Sequence, residues 1–315
     1  MIYIIGHKKP DLDSAVAAVS LKYLFDKADC WQRKASQPVL PEPANHETKF
    51  IFKKFKTSLP QVLTLKKIKT EDKFVLVDHN EKSQRHQGIK NEQITDIFDH
   101  HKINLNLNKP IFITTKPWGS TNTIIYWLMK TNDIKPSKNI ACLMLAAILS
   151  DTVGLKSSTT TEKDRQIAKE LAKTGQIKNI DKLIFQIFKA KSNISDLSDK
   201  EIITKDYKVY NFAKQKVFIN QLETVEQEKV IDKSEQLIKL LKKLKKEKNL
   251  DYLFCLVTDI LKINSKVIIP SEKSEKILKQ AFPQAKKIKK GVYNIGPRSS
   301  RKKEIAPPIE NSLNK

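Results

Sequence analysis

Three short apolar runs in the first hundred or so residues each end at an aspartate or a histidine, and no other feature limits the fold as tightly. Met1 to Ile5 runs into Gly6-His7, Phe74-Val75-Leu76-Val77 into Asp78-His79-Asn80, and the run holding Ile94, Ile97 and Phe98 into Asp99-His100-His101. Runs of this composition read as buried strands. Polar, metal-competent side chains at a strand end are costly to bury without partners, so the repetition marks a site. Four of the six histidines stand at these ends, while His46 and His86 read as surface residues.

The first strand is followed by the loop Gly6 to Ser14 and then by apolar residues at Val16, Val19, Leu21, Leu24 and Phe25, a roughly helical spacing with Ser14 as its N-cap. Strand, loop and helix form the first half of a βαβ unit, so the expected class is α/β, a parallel sheet with flanking helices. His7, Asp11 and Asp13 then lie beyond the carboxyl end of a strand, where open α/β sheets bind ligands. In residues 31 to 72, Pro38, Pro41 and Pro43 mark a loop and Phe50 to Phe55 a basic helix, with nothing catalytic in view. Ile111 to Thr114 reads as another strand, and Gly119-Ser120-Thr121 leads into a helix from Asn122 to Met129. That helix start either presents N–H groups to an anion or serves as a cap. The helix Ile140 to Ile148 is apolar nearly all round, which places Asp151, just beyond it, deep in the domain and in need of a cation or donor. Thr159 to Thr161 cap the next helix, Glu162 to Lys173.

A polar stretch from Ser192 to Asp199 reads as a linker, so the expected domains are 1–190 and 200–315 joined by 191–199. Beyond it a hairpin turns around Phe212-Ala213-Lys214-Gln215, and a long helix with a core stripe and a solvated lysine face spans Val225 to Lys248. Strands at Leu250 to Ile260 and Lys266 to Ile269, a helix at Glu272 to Phe282, and a docked basic segment from Ser300 complete this smaller α/β domain.

The formal charge of +24 invites a nucleic-acid partner, because clustered cations bind phosphate backbones. Its distribution argues the other way: the arginines are Arg33, Arg85, Arg165, Arg298 and Arg301 alone, and the lysines are scattered along the whole chain. An AT-rich genome or a small, highly charged anionic substrate accounts for the composition equally well. No apolar run approaches the length of a membrane span and the chain opens directly on a strand, so a soluble, cytoplasmic protein is expected. Cys30, Cys142 and Cys255 are odd in number and far apart, which reads as reduced core thiols.

Hard divalent cations want carboxylate oxygens, and imidazole shifts the preference toward Mn²⁺ and its neighbours. His7, Asp11, Asp13, Asp78, His100 and Asp151 are such a set, and its four carboxylates balance the charge of two divalent ions. A two-metal centre polarises phosphoryl oxygens and makes hydroxide from a bridging water, so phosphoryl hydrolysis is the expected reaction. The second domain offers Lys208, Arg301 and Lys302 as clamps for the phosphates.

Gly6-His7-x-x-Pro10-Asp11-x-Asp13-Ser14, Asp78-His79-Asn80, Asp99-His100-His101 and Ser150-Asp151-Thr152 resemble the four motifs of the DHH phosphoesterases. Ser300-Arg301-Lys302-Lys303 resembles the signature of the DHHA2 domain in family II, manganese-dependent inorganic pyrophosphatases. The resemblance implies hydrolysis of pyrophosphate to two orthophosphates in a cleft between a DHH domain and a DHHA2 domain. It implies one Mn²⁺ on His7, Asp11, Asp78 and Asp151 and another on Asp13, Asp78, His100 and Asp151, with Mg²⁺ able to accompany the substrate. It also implies that His101 touches the substrate, that Asp99 orients the histidine pair, and that Lys208, Arg301 and Lys302 bind phosphate, with Lys205 the neighbouring alternative to Lys208. A homodimer is compatible with this reading. One departure stands out: the family pattern has Gln after Ser-Arg-Lys-Lys, and this chain has Glu304, a carboxylate that would pair with Lys303 or weaken anion binding. The rivals are a short-chain exopolyphosphatase, an oligoribonuclease or nucleotide phosphodiesterase, and a non-catalytic nucleic-acid-binding protein. The phosphodiesterases carry a Gly-rich C-terminal motif, and no two of the seven glycines here are adjacent.

Overall fold

The computed structural model describes every residue except 30–32, 34, 193, 196 and 315, so the expectation for Cys30 lies outside the described residues. Two compact units emerge, Met1–Lys191 and Ser192–Lys315. The first alternates strand and helix: β1 (Ile2–Ile5), α1 (Leu12–Lys27), β2 (Ser36–Leu40), α2 (His46–Lys54), β3 (Gln61–Val62), β4 (Lys73–Val77), β5 (Ile94–Asp99) and β6 (Phe112–Thr115). Helices α3 (Thr121–Thr131), α4 (Lys138–Asp151), α5 (Glu162–Thr174) and α6 (Ile180–Lys191) complete it.

Among the described residues the sheet order is β3-β2-β1-β4-β5-β6, all parallel. From β1 the chain first builds outward to one side and then returns to build on the other, so the loops after β1 and β4 diverge and leave a crevice at the strands' carboxyl ends. That reversal is what positions the site. The strand cores, Ile4, Ile5, Phe74 to Val77, Ile97 and Phe98, are wholly buried, and α1 and α4 bury residues on nearly every face.

Several local expectations change. Helix α1 starts at Leu12, two residues before Ser14, because Asp11 is the cap and accepts from the Ser14 N–H; Ser14 Oγ instead accepts from the His7 N–H. A Cβ at Gly6 would sit 1.8 Å from that Ser14 Oγ, so only glycine lets the strand end approach the helix so closely. Pro38 lies inside β2 and not in a loop, tolerated because β3 pairs only with Val39 and Leu40. Helix α2 begins at His46 under an Asn45 cap, earlier than the basic run at Phe50 indicates. His86 is buried at 8% exposure rather than on the surface. Asp151 is the last residue of α4, not the first after it.

The second unit contains α7 (Asp199–Thr204), β7 (Tyr207–Phe212), β8 (Gln215–Thr224), α8 (Gln227–Asp232), α9 (Ser234–Glu247), β9 (Tyr252–Asp259), β10 (Asn264–Ile268), α10 (Glu272–Ala281), β11 (Lys286–Lys289), β12 (Val292–Gly296) and α11 (Ala306–Leu313). Its sheet runs β11-β12-β10-β9-β8-β7, with β8 and β9 parallel and the other pairs antiparallel. The β7–β8 hairpin turns on Ala213 and Lys214, both at positive φ as a tight two-residue turn requires. The long helix expected from Val225 to Lys248 is two helices, since the chain breaks at Lys233 so that α8 and α9 each bury their own apolar stripe. Within the polar stretch after α6, Ile194 is buried in the second unit's core, Ser198 caps α7, and Asn193 and Asp196 lie outside the described residues. The basic C-terminal segment is docked as expected, through Ile305, Ala306 and Ile309. Cys142 and Cys255 are buried free thiols, and no helix among the described residues is long and apolar enough to cross a membrane.

Candidate metal centre

The loop after β1 carries His7, the start of α1 carries Asp11 and Asp13, β4 ends at Asp78, β5 delivers Asp99, His100 and His101, and α4 ends at Asp151. Asp78 sits just beyond its strand at φ 61°, a left-handed turn that aspartate tolerates better than most residues. The two oxygens of Asp78 face different ways: Oδ2 is 3.5 Å from His7 Nε2, and Oδ1 is 3.4 Å from His100 Nε2. Asp11 Oδ1 lies 3.5 Å from His7 Nε2 and Asp151 Oδ2 lies 3.3 Å from His100 Nε2. Each ring is turned by its other nitrogen, His7 Nδ1 onto the Lys8 carbonyl at 2.7 Å and His100 Nδ1 onto the Trp118 carbonyl at 2.9 Å. With Nδ1 donating, Nε2 is the nitrogen left to bind a cation.

Potential ligand atoms fall into overlapping groups within 4.8 Å: His7, Asp11 and Asp78; Asp13, His100 and Asp151; Asp78, His100 and His101. Asp151 Oδ2 is buried without a hydrogen-bond partner. An orphaned carboxylate oxygen among other carboxylates and imidazoles fits a divalent cation of the Mn²⁺ type. Electrostatics agrees. Burial and the Asp13 and Asp78 charges push Asp151 up to about 9, and burial with the Asp78 charge pushes Asp13 up to about 7. Burial lowers both histidines, but the neighbouring carboxylates override it, raising His7 to about 11 and His100 to about 10. Asp78 stays well below the usual carboxylate range, because hydrogen bonds and charge from His100 and His7 outweigh its burial.

Asp13 is fixed by the start of α3. The Thr121 N–H donates to its Oδ2 at 2.8 Å and Asn122 Nδ2 to its Oδ1 at 2.8 Å, with the Ser120 hydroxyl donating as well. The Gly119-Ser120-Thr121 helix start thus does hold an anion, and the anion is the chain's own carboxylate. Gly119 is needed for a second contact: its N–H donates to buried Asp164 at 2.9 Å, where a Cβ would lie equally close.

Asp99 is wholly buried and accepts from His101 Nδ1 at 2.9 Å and from Asn80 Nδ2 at 2.6 Å. It therefore orients His101 alone, since His100 is set by Trp118. His101 is half-exposed beside a cavity of about 280 Å³ that His7, Asp11, Asp78 and Asp151 also line. Two residues near the site carry no role in the sequence reading, His79, noted only for its place at a strand end, and Glu47. His79, buried with its pKa lowered to about 4 by burial, donates Nδ1 to the Val77 carbonyl. Glu47, from the stretch read as featureless, accepts the Ser150 hydroxyl next to Asp151, and Lys191 Nζ reaches the same hydroxyl at 3.2 Å. The buried first turn of α2 was its only signal.

In the second unit Lys208 lies in β7 with Nζ 5.1 Å above the Tyr210 ring, while Lys205 ends α7. Arg301 begins a π-helical turn (Arg301–Ile305), its N–H donating to Gln221 Oε1 at 3.0 Å and its Nη2 to Asp206 at 3.0 Å. Arg301 Nε and Nη1 are buried without partners, and Lys302 is exposed. Glu304 does not turn to Lys303. Its Oε2 accepts from the backbone N–H groups of Ser299 and Ser300 at 2.9 Å each, which holds its carboxyl below the usual range.

A parallel sheet whose switch point gathers these acids and histidines, followed by a separate mixed-sheet unit, defines the two-domain DHH phosphoesterase class. Residues 1–148 match the DHH family N-terminal domain and residues 186–312 the DHHA2 domain. The chain is 36% identical to the manganese-dependent inorganic pyrophosphatase of Methanocaldococcus jannaschii, with all of both chains covered. It is 34% identical to that of Methanothrix thermoacetophila, covering 100% of this chain and 99% of the relative. A crystal structure from Methanococcus jannaschii, described as a candidate family II inorganic pyrophosphatase, superposes with a TM-score of 0.62 at 34% identity, covering both chains fully. The chain belongs to the family of manganese-dependent inorganic pyrophosphatases.

Proposed function

We propose that this protein hydrolyses inorganic pyrophosphate to two orthophosphates, with two Mn²⁺ ions held by His7, Asp11, Asp13, Asp78, His100 and Asp151. The observation that carries the reading is Asp78, whose two oxygens face two separate histidines as a bridging carboxylate must. Bound divalent ions supply charge that stabilises phosphoryl oxygens and lowers the pKa of water. The protein's own residues do the rest. Lys8 and Trp118 carbonyls keep the His7 and His100 Nε2 atoms aimed inward, and Ser120, Thr121 and Asn122 keep Asp13 in place. His101, oriented by Asp99 and with its pKa raised by that hydrogen bond, can pass a proton to a leaving phosphate oxygen. Arg301, Lys302 and Lys208 supply cationic donors to the phosphates.

Domains 1–190 and 200–315 with a linker at 191–199 go with this reading, supported by the division of contacts at Lys191 and Ser192. Pyrophosphate is preferred over short polyphosphate because the full-length relatives are named as pyrophosphatases. The test is phosphate release from the Mn²⁺-loaded protein with pyrophosphate, tripolyphosphate, a dinucleotide and a nitrophenyl phosphate diester in parallel. Fast release from pyrophosphate alone is expected. Preference for tripolyphosphate transfers the assignment to an exopolyphosphatase, and cleavage of the dinucleotide to a phosphodiesterase.

A further inference from the structure

Three consecutive backbone N–H groups lead into the π-helical turn, and each is taken by a side-chain oxygen of the same unit. Those of Ser299 and Ser300 both donate to Glu304 Oε2 at 2.9 Å, and that of Arg301 donates to Gln221 Oε1 at 3.0 Å. Gln221, buried at 6% exposure, also donates Nε2 to the Ser299 carbonyl at 2.7 Å and to Thr258 Oγ1 at 3.1 Å. The turn itself is closed by Glu304 N–H to the Ser300 carbonyl and by Lys303 N–H to Ser300 Oγ. Two successive N–H groups converging on one oxygen form the kind of nest that binds external anions. Here the chain fills the nest with its own carboxylate. Beside the filled nest stand the Arg301 guanidinium, whose Nη2 donates to Asp206 and whose Nε and Nη1 are buried without a partner among the described residues, and the exposed Lys302 ammonium.

We propose that Glu304 is a positioning residue for Arg301: its carboxylate closes the Ser299–Ser300 nest, fixes the backbone from which Arg301 projects, and leaves phosphate recognition to the side chains. The proposal rests on the pyrophosphatase reading for its effect on turnover. Glutamine would serve the same role as glutamate here. The required group is a single acceptor oxygen at the end of a two-methylene arm, which both residues provide. One glutamate oxygen, Oε2, is engaged by two N–H donors.

The test uses the Mn²⁺-loaded full chain and compares wild type, Glu304→Gln, Glu304→Ala, Arg301→Ala and the Glu304→Ala/Arg301→Ala double variant. Glu304→Gln should keep kcat/KM for pyrophosphate within about threefold, whereas Glu304→Ala should lower it about tenfold to a hundredfold through misplacement of Arg301, with bound manganese unchanged. Because Glu304 acts through Arg301, Glu304→Ala should cost nothing further in the Arg301→Ala background. Equal losses in both backgrounds, a glutamine variant as damaged as alanine, or an alanine variant at full activity would each overturn the proposal. Amide hydrogen exchange at Ser299, Ser300 and Arg301 decides the positioning without any turnover: slow in wild type and Glu304→Gln, at least about tenfold faster in Glu304→Ala. Unchanged exchange overturns the proposal, whereas a wild type that releases no phosphate from pyrophosphate defeats the functional reading alone.

Discussion

His100 Nε2 lies 3.3 Å from Asp151 Oδ2, an oxygen that finds no hydrogen-bond partner among the described residues. A divalent cation satisfies both atoms at once.

Replacing Asp151 or Asp78 by alanine should abolish turnover and empty the site of metal, as read by elemental analysis of the purified variants. Arg301→Ala should keep its metal and lose rate by about a hundredfold or more, the usual cost of removing one electrostatic donor from a transition state. Loss of metal in the Arg301 variant contradicts this separation of roles.

The shifted acids and imidazoles set the sign of a linkage between pH and metal. Asp13 (ordinarily 3.8, here about 7), Asp151 (3.8, about 9), His100 (6.5, about 10) and His7 (6.5, about 11) all keep protons in the metal-free fold that the unfolded chain has released. The fold then binds more protons than the unfolded state, so metal-free stability falls as pH rises through these windows. Asp78, whose value is lowered, has the opposite sign but acts only below its ordinary 3.8. Metal displaces the protons, so the Tm difference between Mn²⁺-loaded and chelator-treated protein should widen from about pH 5.5 to about pH 8.5. A difference that shrinks over this range contradicts the metal assignment.

Asn122→Ala removes a 2.8 Å donor to Asp13 while leaving every proposed ligand in place. Metal affinity should fall about tenfold to a hundredfold, the usual effect of losing a group that orients a ligand. Competition for Mn²⁺ against a fluorescent chelator measures it, and wild-type affinity would show that the Thr121 N–H and the Ser120 hydroxyl suffice.

Asp99→Asn weakens the acceptor that turns His101. The expected result is normal manganese content with kcat reduced about tenfold or more, because His101 loses both its orientation and the charge that raises its pKa. The alkaline limb of the kcat profile, where a general acid loses its proton, should move to lower pH as well, and an unmoved profile separates His101 from the proton transfer.

Ser150→Ala leaves the buried Glu47 carboxylate without its hydroxyl donor. Destabilisation of about 1–3 kcal/mol is expected, the cost of an unsatisfied buried acceptor. Thermal unfolding of the metal-free variant reads it directly.

Much of the site could be read from the chain because it lies at strand ends. A run such as Phe74 to Val77 declares itself by composition, and a histidine or aspartate at its end is conspicuous since burial of such groups is costly. His7, Asp78 and His100 stand out as candidates for that reason, while Asp11 and Asp13 at the start of α1 and Asp151 at the end of α4 draw notice as carboxylates in a loop after a strand and beyond an apolar helix. The α/β class and the docked C-terminal segment were legible from composition and periodicity. What the sequence could not contain is contact across long separations. Asn122 reaches Asp13 over 109 residues and Ser150 reaches Glu47 over 103, and no local period records either pairing. The same holds for Glu304, whose neighbours in sequence include Lys303 but whose carboxylate finds the Ser299 and Ser300 N–H groups. The sequence by itself offered the candidates for metal and phosphate chemistry, through their residue types and places at element ends and through the motifs that resemble a known family. Only the tertiary structure decided which donor each carboxylate meets, because hydrogen-bond geometry is set by how the elements pack.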